Sequence, residues 1–123
     1  MYDKSVIVTG AAGGLGKATA VTLAKAGASI GVLDVNLEGA EKVVKDIEAI
    51  GGKAFAVVGD ITKRADALDL FDRAVQKLGR VDGLINNGGI YPRRPIMEIT
   101  DEEWNASLGV NVRGLYNMTV AAI

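Results

Sequence analysis

Val6-Ile-Val-Thr-Gly-Ala-Ala-Gly-Gly-Leu-Gly16 is the stretch on which the fold turns. Its lead-in, Ser5-Val-Ile-Val8, is an unbroken apolar run and reads as a strand buried on both faces. Thr9-Gly10 ends that strand, Gly14-Leu15-Gly16 follows, and a segment of helical period begins. Gly10 lets the chain turn sharply, Gly14 removes a side chain where backbone must approach a ligand, and Gly16 lets the helix pack closely on the sheet. The first N–H groups of such a helix point outward, and its dipole favours negative charge there. The turn is therefore suited to a pyrophosphate.

Downstream, short apolar runs alternate with helical stretches. A first helix is expected from Gly14 to Ala26, with Leu15, Ala18, Thr19, Thr22, Leu23 and Ala26 on its inner face and Gly27 as its stop. Ser29-Ile-Gly-Val-Leu33 reads as strand two and ends at Asp34; Asn36 caps the next helix. That helix carries the stripe Leu37, Ala40, Val43, Val44, Ile47 and Ile50. Strand three is Ala54-Phe-Ala-Val-Val58, closed by Gly59-Asp60. Thr62 is expected to cap helix three, with Ala67, Leu68, Phe71, Val75 and Leu78 inward and Gly79 at its end. Val81-Asp-Gly-Leu-Ile85 reads as strand four and leads into Asn86-Asn-Gly-Gly89. After a loop with Pro92 and Pro95, Thr100-Asp-Glu-Glu103 is a capping box that opens helix four. This alternation means parallel strands joined by right-handed crossovers, an α/β fold.

Composition narrows the chemistry. The 123 residues suffice for one compact domain, and a net charge of −1 leaves no basic footprint for nucleic acid or an anionic membrane. With no cysteine and no histidine, disulfides and thiolate metal sites are excluded, and so are the commonest general base and metal ligand. No metal site is expected. No apolar run approaches the roughly 20 residues that span a bilayer. Met1-Tyr-Asp-Lys-Ser5 lacks the apolar stretch of a signal peptide, so a cytoplasmic protein is expected.

Asp34 refines the ligand. It lies at the end of strand two, eighteen residues after Gly16, where a carboxylate can accept hydrogen bonds from the ribose hydroxyls of an adenosine. It would repel a 2′-phosphate, and Val35 and Asn36 supply no arginine to offset that. NAD is favoured over NADP. A nucleoside-triphosphate loop fits poorly: five residues separate Gly10 from Gly16-Lys17, and Ala18 stands where a hydroxyl should bind magnesium. Lys17 reads more simply as a solvated residue.

Thr9-Gly-Ala-Ala-Gly-Gly-Leu-Gly16 resembles the Thr-Gly-x-x-x-Gly-x-Gly motif of the short-chain dehydrogenases/reductases. Asp60-Ile61 is similar to the family's adenine-contacting pair, and Asn86-Asn87-Gly88-Gly89 to its Asn-Asn-Ala-Gly motif, with Gly88 in place of Ala. Trp104 and Val110-Asn111 match the Trp and Val-Asn of its long fourth helix. The resemblance implies a partial, Rossmann-type doubly wound parallel sheet of strand order 3-2-1-4, with the cofactor across the carboxyl ends of the strands. It implies an oxidoreductase that moves a hydride between NAD and an alcohol or carbonyl substrate.

By the same resemblance, cofactor contacts fall to Gly10, Ala12, Gly13, Gly14, Leu15, Gly16, Asp34, Asp60, Ile61, Asn87, Gly88 and Val110, and a catalytic place to Asn111 in a proton relay. Asn111 shares a helical face with Trp104, Leu108 and Leu115, so its amide must find hydrogen-bond partners; a buried Asn satisfied by neighbouring backbone is the alternative to the catalytic place. Arg93 and Arg94 read as solvated loop charges, with an anionic substrate as the alternative. The family's catalytic Ser and Tyr-x-x-x-Lys have no counterpart: Val6, Pro95 and Val120 stand four places after Tyr2, Tyr91 and Tyr116. Without that pair the proton of the carbinol has no acid–base partner. The chain stops in the apolar stretch Val120-Ala-Ala-Ile123, and residues 1–123 read as one nucleotide-binding domain interrupted before the catalytic region. Alone it is expected to be inactive. The alternative is a non-catalytic nucleotide-binding module. The open edge of strand four is expected to draw in a second copy, making a homo-oligomer.

Overall fold

The computed structural model describes all 123 residues. Four strands form one parallel sheet: β1 (Ser5–Thr9), β2 (Ser29–Asp34), β3 (Lys53–Val58) and β4 (Gly83–Ile85). Their order is β3-β2-β1-β4. In register, Val6 lies beside Ile30 and Gly83, and Val8 beside Val32 and Ile85. The connections are α1 (Gly14–Lys25), α2 (Leu37–Ala49) and α3 (Arg64–Leu78). A short 3-10 turn, Ile96–Glu98, precedes α4 (Asp101–Leu108), which runs through a π-helical segment, Gly109–Gly114, into α5 (Leu115–Ala122). Gly109 and Gly114 both keep right-handed helical backbone angles, so residues 101–122 are one rod. No helix is long and apolar enough to cross a membrane.

The sheet is covered on both faces, which is why its strands are apolar without alternation. Val6, Val8, Ile30 and Val32 meet Ala20, Ala24, Ala40, Val43 and Ile47 on one side. Ile7, Leu33 and Val57 meet Leu70, Ala74 and Met118 on the other. Asn36 caps α2, its side chain accepting the Gly39 N–H at 3.0 Å. Thr100 and Glu103 form the reciprocal capping box of α4. The expected strand order and caps at these two helices are found.

Several local expectations are corrected. The inner face of α1 is Gly16, Ala20 and Ala24, and Leu15 is 79% exposed. The helix lies so close to the sheet that only small residues fit directly beneath it; Leu15 turns outward, while Val21 and Leu23 pack at the flanks, partly buried. In α3 the buried stripe is Ala67, Leu70, Ala74 and Leu78, while Leu68 points to solvent. Thr62 does not cap α3. Lys63 occupies the N-cap without a side-chain bond, and the Thr62 hydroxyl donates to Asp60 Oδ1 at 2.7 Å. The nearer carboxylate wins that hydroxyl, and the Thr62 N–H joins the same oxygen at 2.9 Å, closing an Asx turn.

Strand β4 is shorter than expected, because Asp82 pairs with β1 through its side chain. Its Oδ2 accepts the Ser5 N–H at 2.9 Å, and its own N–H donates to the Ser5 carbonyl at 2.8 Å. The Ser5 N–H first, and then the Arg80 guanidinium, holds the Asp82 carboxyl below its ordinary value of 3.8. A group lowered by folding contributes stability above its unfolded value and loses it as pH falls through the folded one. Urea midpoints of the protein and of Asp82→Ala are therefore expected to differ at about pH 6 and to converge below about pH 3. A constant gap between the two curves would contradict this.

Candidate functional site

The site grows from a crossing at which side chains are missing. After Thr9 the backbone turns at Gly10, with φ +62°, and a Cβ there would lie 2.8 Å from Gly88 Cα. A Cβ on Gly16 would stand 2.2 Å from the Gly10 carbonyl oxygen and 2.5 Å from Asn87 Nδ2. The first turn of α1 thus rests directly on the ends of β1 and β4. Thr9, 1% exposed, fastens the crossing: its Oγ1 accepts the N–H groups of Asn87 at 3.0 Å and Gly88 at 2.8 Å. Asn87 Nδ2 donates to the Gly10 carbonyl at 3.2 Å.

On its outer side the turn is open. Nothing lies within 4 Å of a Cβ built at Gly13 or Gly14. No side chain caps α1, and its first turn holds no acid. The unpaired N–H groups and the positive end of the helix face this space, an arrangement that favours an anion. Asp34 stands beside it at the end of β2. One carboxylate oxygen accepts the Ala12 N–H and the other the Asn36 N–H, both at 3.0 Å. The acid therefore also sets the shape of the turn. Lys17 pairs with Asp46 on α2 at 2.9 Å.

Two hollows meet here. The larger, of about 610 Å³, runs from Gly13, Gly14 and Leu15 past Asp34 to Asn87, Tyr91 and Asn111. The smaller, of about 160 Å³, lies between Asp34, Asp60, Ile61, Gly88 and Val110. Both touch Gly10. Ala12 and Gly16 line neither hollow and support the wall from behind. The remaining predicted residues are brought together. The Thr62 hydroxyl, then its N–H, holds the Asp60 carboxyl below its ordinary value of 3.8, so it is a carboxylate at neutral pH.

Asn111 is not the buried amide of the alternative reading. It is exposed, and so are Trp104 at 60%, Leu108 at 45% and Leu115 at 45%. The rod instead buries Gly114, Asn117 and Met118. The amide of Asn111 still finds partners: Oδ1 accepts the Ile90 N–H at 2.8 Å, and Nδ2 donates to the Ile90 carbonyl at 2.7 Å. It lies within the π-helical segment, which re-aims side chains relative to a regular helix. Arg94 pairs with Glu103 at 2.9 Å, and Arg93 lies over the Tyr91 ring, 5.6 Å from its centroid. Thr9 and Asn117 are two further functional residues whose partners no local sequence pattern specifies. A buried threonine ending an apolar strand was the available signal for the first.

The family model of the short chain dehydrogenases matches residues 4–123, and the chain belongs to that family. It is 36% identical over 119 residues to the 3-oxoacyl-(acyl-carrier-protein) reductase of Thermotoga maritima, covering 97% of this chain and 48% of that protein. It is 49% identical over 86 residues to the 7alpha-hydroxysteroid dehydrogenase of Escherichia coli, covering 70% and 34%. The crystal structure of a hydroxysteroid dehydrogenase from Escherichia coli superposes with a TM-score of 0.89 at 38% identity, over 98% of this chain and 51% of that one. The chain spans about half the length of the curated relatives it matches. The family is one of oxidoreductases, and the parallel order 3-2-1-4 is its Rossmann-type sheet.

The glycine crossing yields a sharp contrast. Gly16→Ala drives a Cβ into backbone and is expected to cost more than about 3 kcal/mol. Gly13→Ala, in extended backbone with open space beside it, is expected to change stability by less than about 0.5 kcal/mol. Urea unfolding of the two variants checks this, and a fully stable Gly16→Ala protein would contradict the packing described.

Proposed function

We propose that this chain is the NAD-holding part of an oxidoreductase that transfers a hydride between NAD and an alcohol or carbonyl substrate. The observation that carries the reading is Asp34, a carboxylate at the edge of a turn whose helix N-terminus faces open space. The residues fit the group. The first turn of α1 would take the pyrophosphate, Asp34 the adenosine ribose, and the hollow at Asp60, Ile61 and Val110 the adenine. Gly10, Gly13, Gly14, Leu15, Asn87 and Gly88 would form the wall along the cofactor, with Ala12 and Gly16 behind it. NAD, when bound, supplies the hydride acceptor. A solved relative, 7α-hydroxysteroid dehydrogenase complexed with NADH, has a TM-score of 0.89 and 38% identity, which supports a nicotinamide cofactor here.

We also propose for Asn111 the place in a proton relay that the resemblance implies, beside its two bonds to Ile90, which fix the loop beyond Gly89. The residues present contain no Tyr-x-x-x-Lys pair to move the substrate proton. We therefore propose that residues 1–123 alone bind nucleotide and turn over no substrate, and that the whole protein acts on a small molecule. We also propose a cytoplasmic location and, for residues 1–123 alone, self-association through the edge of β4 that pairs with no strand of these residues.

Calorimetric titration with NAD, NADP and magnesium-ATP tests the assignment. NAD is expected to bind at least about tenfold more tightly than NADP, and Asp34→Asn to weaken NAD about tenfold or more. Tighter binding of ATP than of NAD would overturn the reading. NADH formation by the 123-residue chain with any alcohol would overturn the claim of inactivity.

A further inference from the structure

Asn117 is a buried amide that the site so far leaves unused. It is 3% exposed, on the inner face of α5 beside the fully buried Met118. Packing alone would be served by an apolar residue at this position, and a buried amide is costly unless it is hydrogen-bonded. Its Nδ2 donates to the Ile61 carbonyl at 2.9 Å, across 56 residues of sequence. One turn earlier, Gly114 presents bare backbone to the same residue: a Cβ there would lie 2.6 Å from Ile61 Cδ1. Ile61 is thus held by the rod of residues 101–122 through both its carbonyl, at Asn117, and its side chain, at Gly114. Across the smaller hollow, Ile61 and Asp60 face Asp34, and Val110 from the same rod completes the wall.

We propose that Asn117 is a positioning residue for the adenine end of the cleft, fixing the Asp60–Ile61 ledge to the helix that carries Val110 and Asn111. This rests on reading the cleft as a nucleotide site. The ledge is a loop leaving β3, and within it the Thr62 N–H and hydroxyl turn back onto Asp60. Asn117 supplies a hydrogen bond that ties this loop to the opposite wall. Without it the Ile61 carbonyl loses its only side-chain partner, and the width of the hollow is no longer set.

The experiment is titration of AMP and of inorganic pyrophosphate into the protein and its Asn117→Leu and Gly114→Ala variants, well below their melting temperatures. Amide hydrogen exchange at Thr62 is followed alongside. Asn117→Leu is expected to weaken AMP by roughly three- to tenfold, to speed exchange at Thr62 and to leave pyrophosphate binding unchanged. Gly114→Ala, which displaces Ile61 from the other side, is expected to weaken AMP as well. A folded Asn117→Leu protein with unchanged AMP affinity and unchanged Thr62 exchange, whatever its melting temperature, would overturn the proposal. If that variant does not fold, unchanged AMP affinity in Gly114→Ala overturns it. If the unsubstituted protein binds neither AMP nor NAD, the nucleotide reading itself fails, and this inference with it.

Discussion

The contact of Gly16 with the Gly10 carbonyl and the Asn87 amide is the constraint on which the structure depends. No side chain fits there, so the first turn of α1 lies directly on the ends of two neighbouring strands. That approach places the positive end of the helix at the carboxyl edge of the sheet. Thr9 secures it from below by accepting two consecutive N–H groups of the Asn86–Gly89 turn. Without Thr9 the Gly88 N–H would have no protein partner, and the Asn87 N–H would keep only the Ile85 carbonyl at 3.1 Å. The cleft is thus a product of backbone packing, and its open side at Gly13 and Gly14 follows from the same geometry.

The second wall comes from far along the chain. The rod of residues 101–122 reaches the site through its π-helical segment, where Val110 borders the smaller hollow and Asn111 grips the Ile90 peptide. One turn on, Gly114 and Asn117 hold Ile61. Each wall therefore contains a loop fastened by a distant amide: Asn87 to Gly10, Asn111 to Ile90, Asn117 to Ile61. Amides suit this role, since they carry donors and an acceptor without the desolvation cost of a charge.

Much of this arrangement is legible in the residues alone. The continuous apolar strands, the glycines that end helices and the placement of Asp34 lead to a parallel sheet with a cleft at its carboxyl edge, and the family resemblance adds the strand order 3-2-1-4. Asn36 and Thr100 cap as their local pattern demands. The rest depends on partners that periodicity does not describe. The face of α1 that turns inward is its small-residue face, because the close approach at Gly16 selects against size. Thr62 abandons its cap for Asp60, a competition between two local bonds that spacing leaves undecided. The stripe of Trp104, Leu108 and Leu115 is apolar yet exposed, because this rod packs on α3 through Met118 and on Ile61 through Gly114 and Asn117 instead.

In the reading proposed above, the glycine turn and Asp34 together hold a dinucleotide. Amide chemical-shift mapping during an NAD titration reports where the ligand sits. The largest shifts are expected at Gly13, Gly14, Leu15 and Gly16, with Asp34, Ile61 and Gly88 following the same binding curve. Shifts confined to the exposed face of Trp104 and Leu108, with the glycine turn unmoved at saturation, would contradict it.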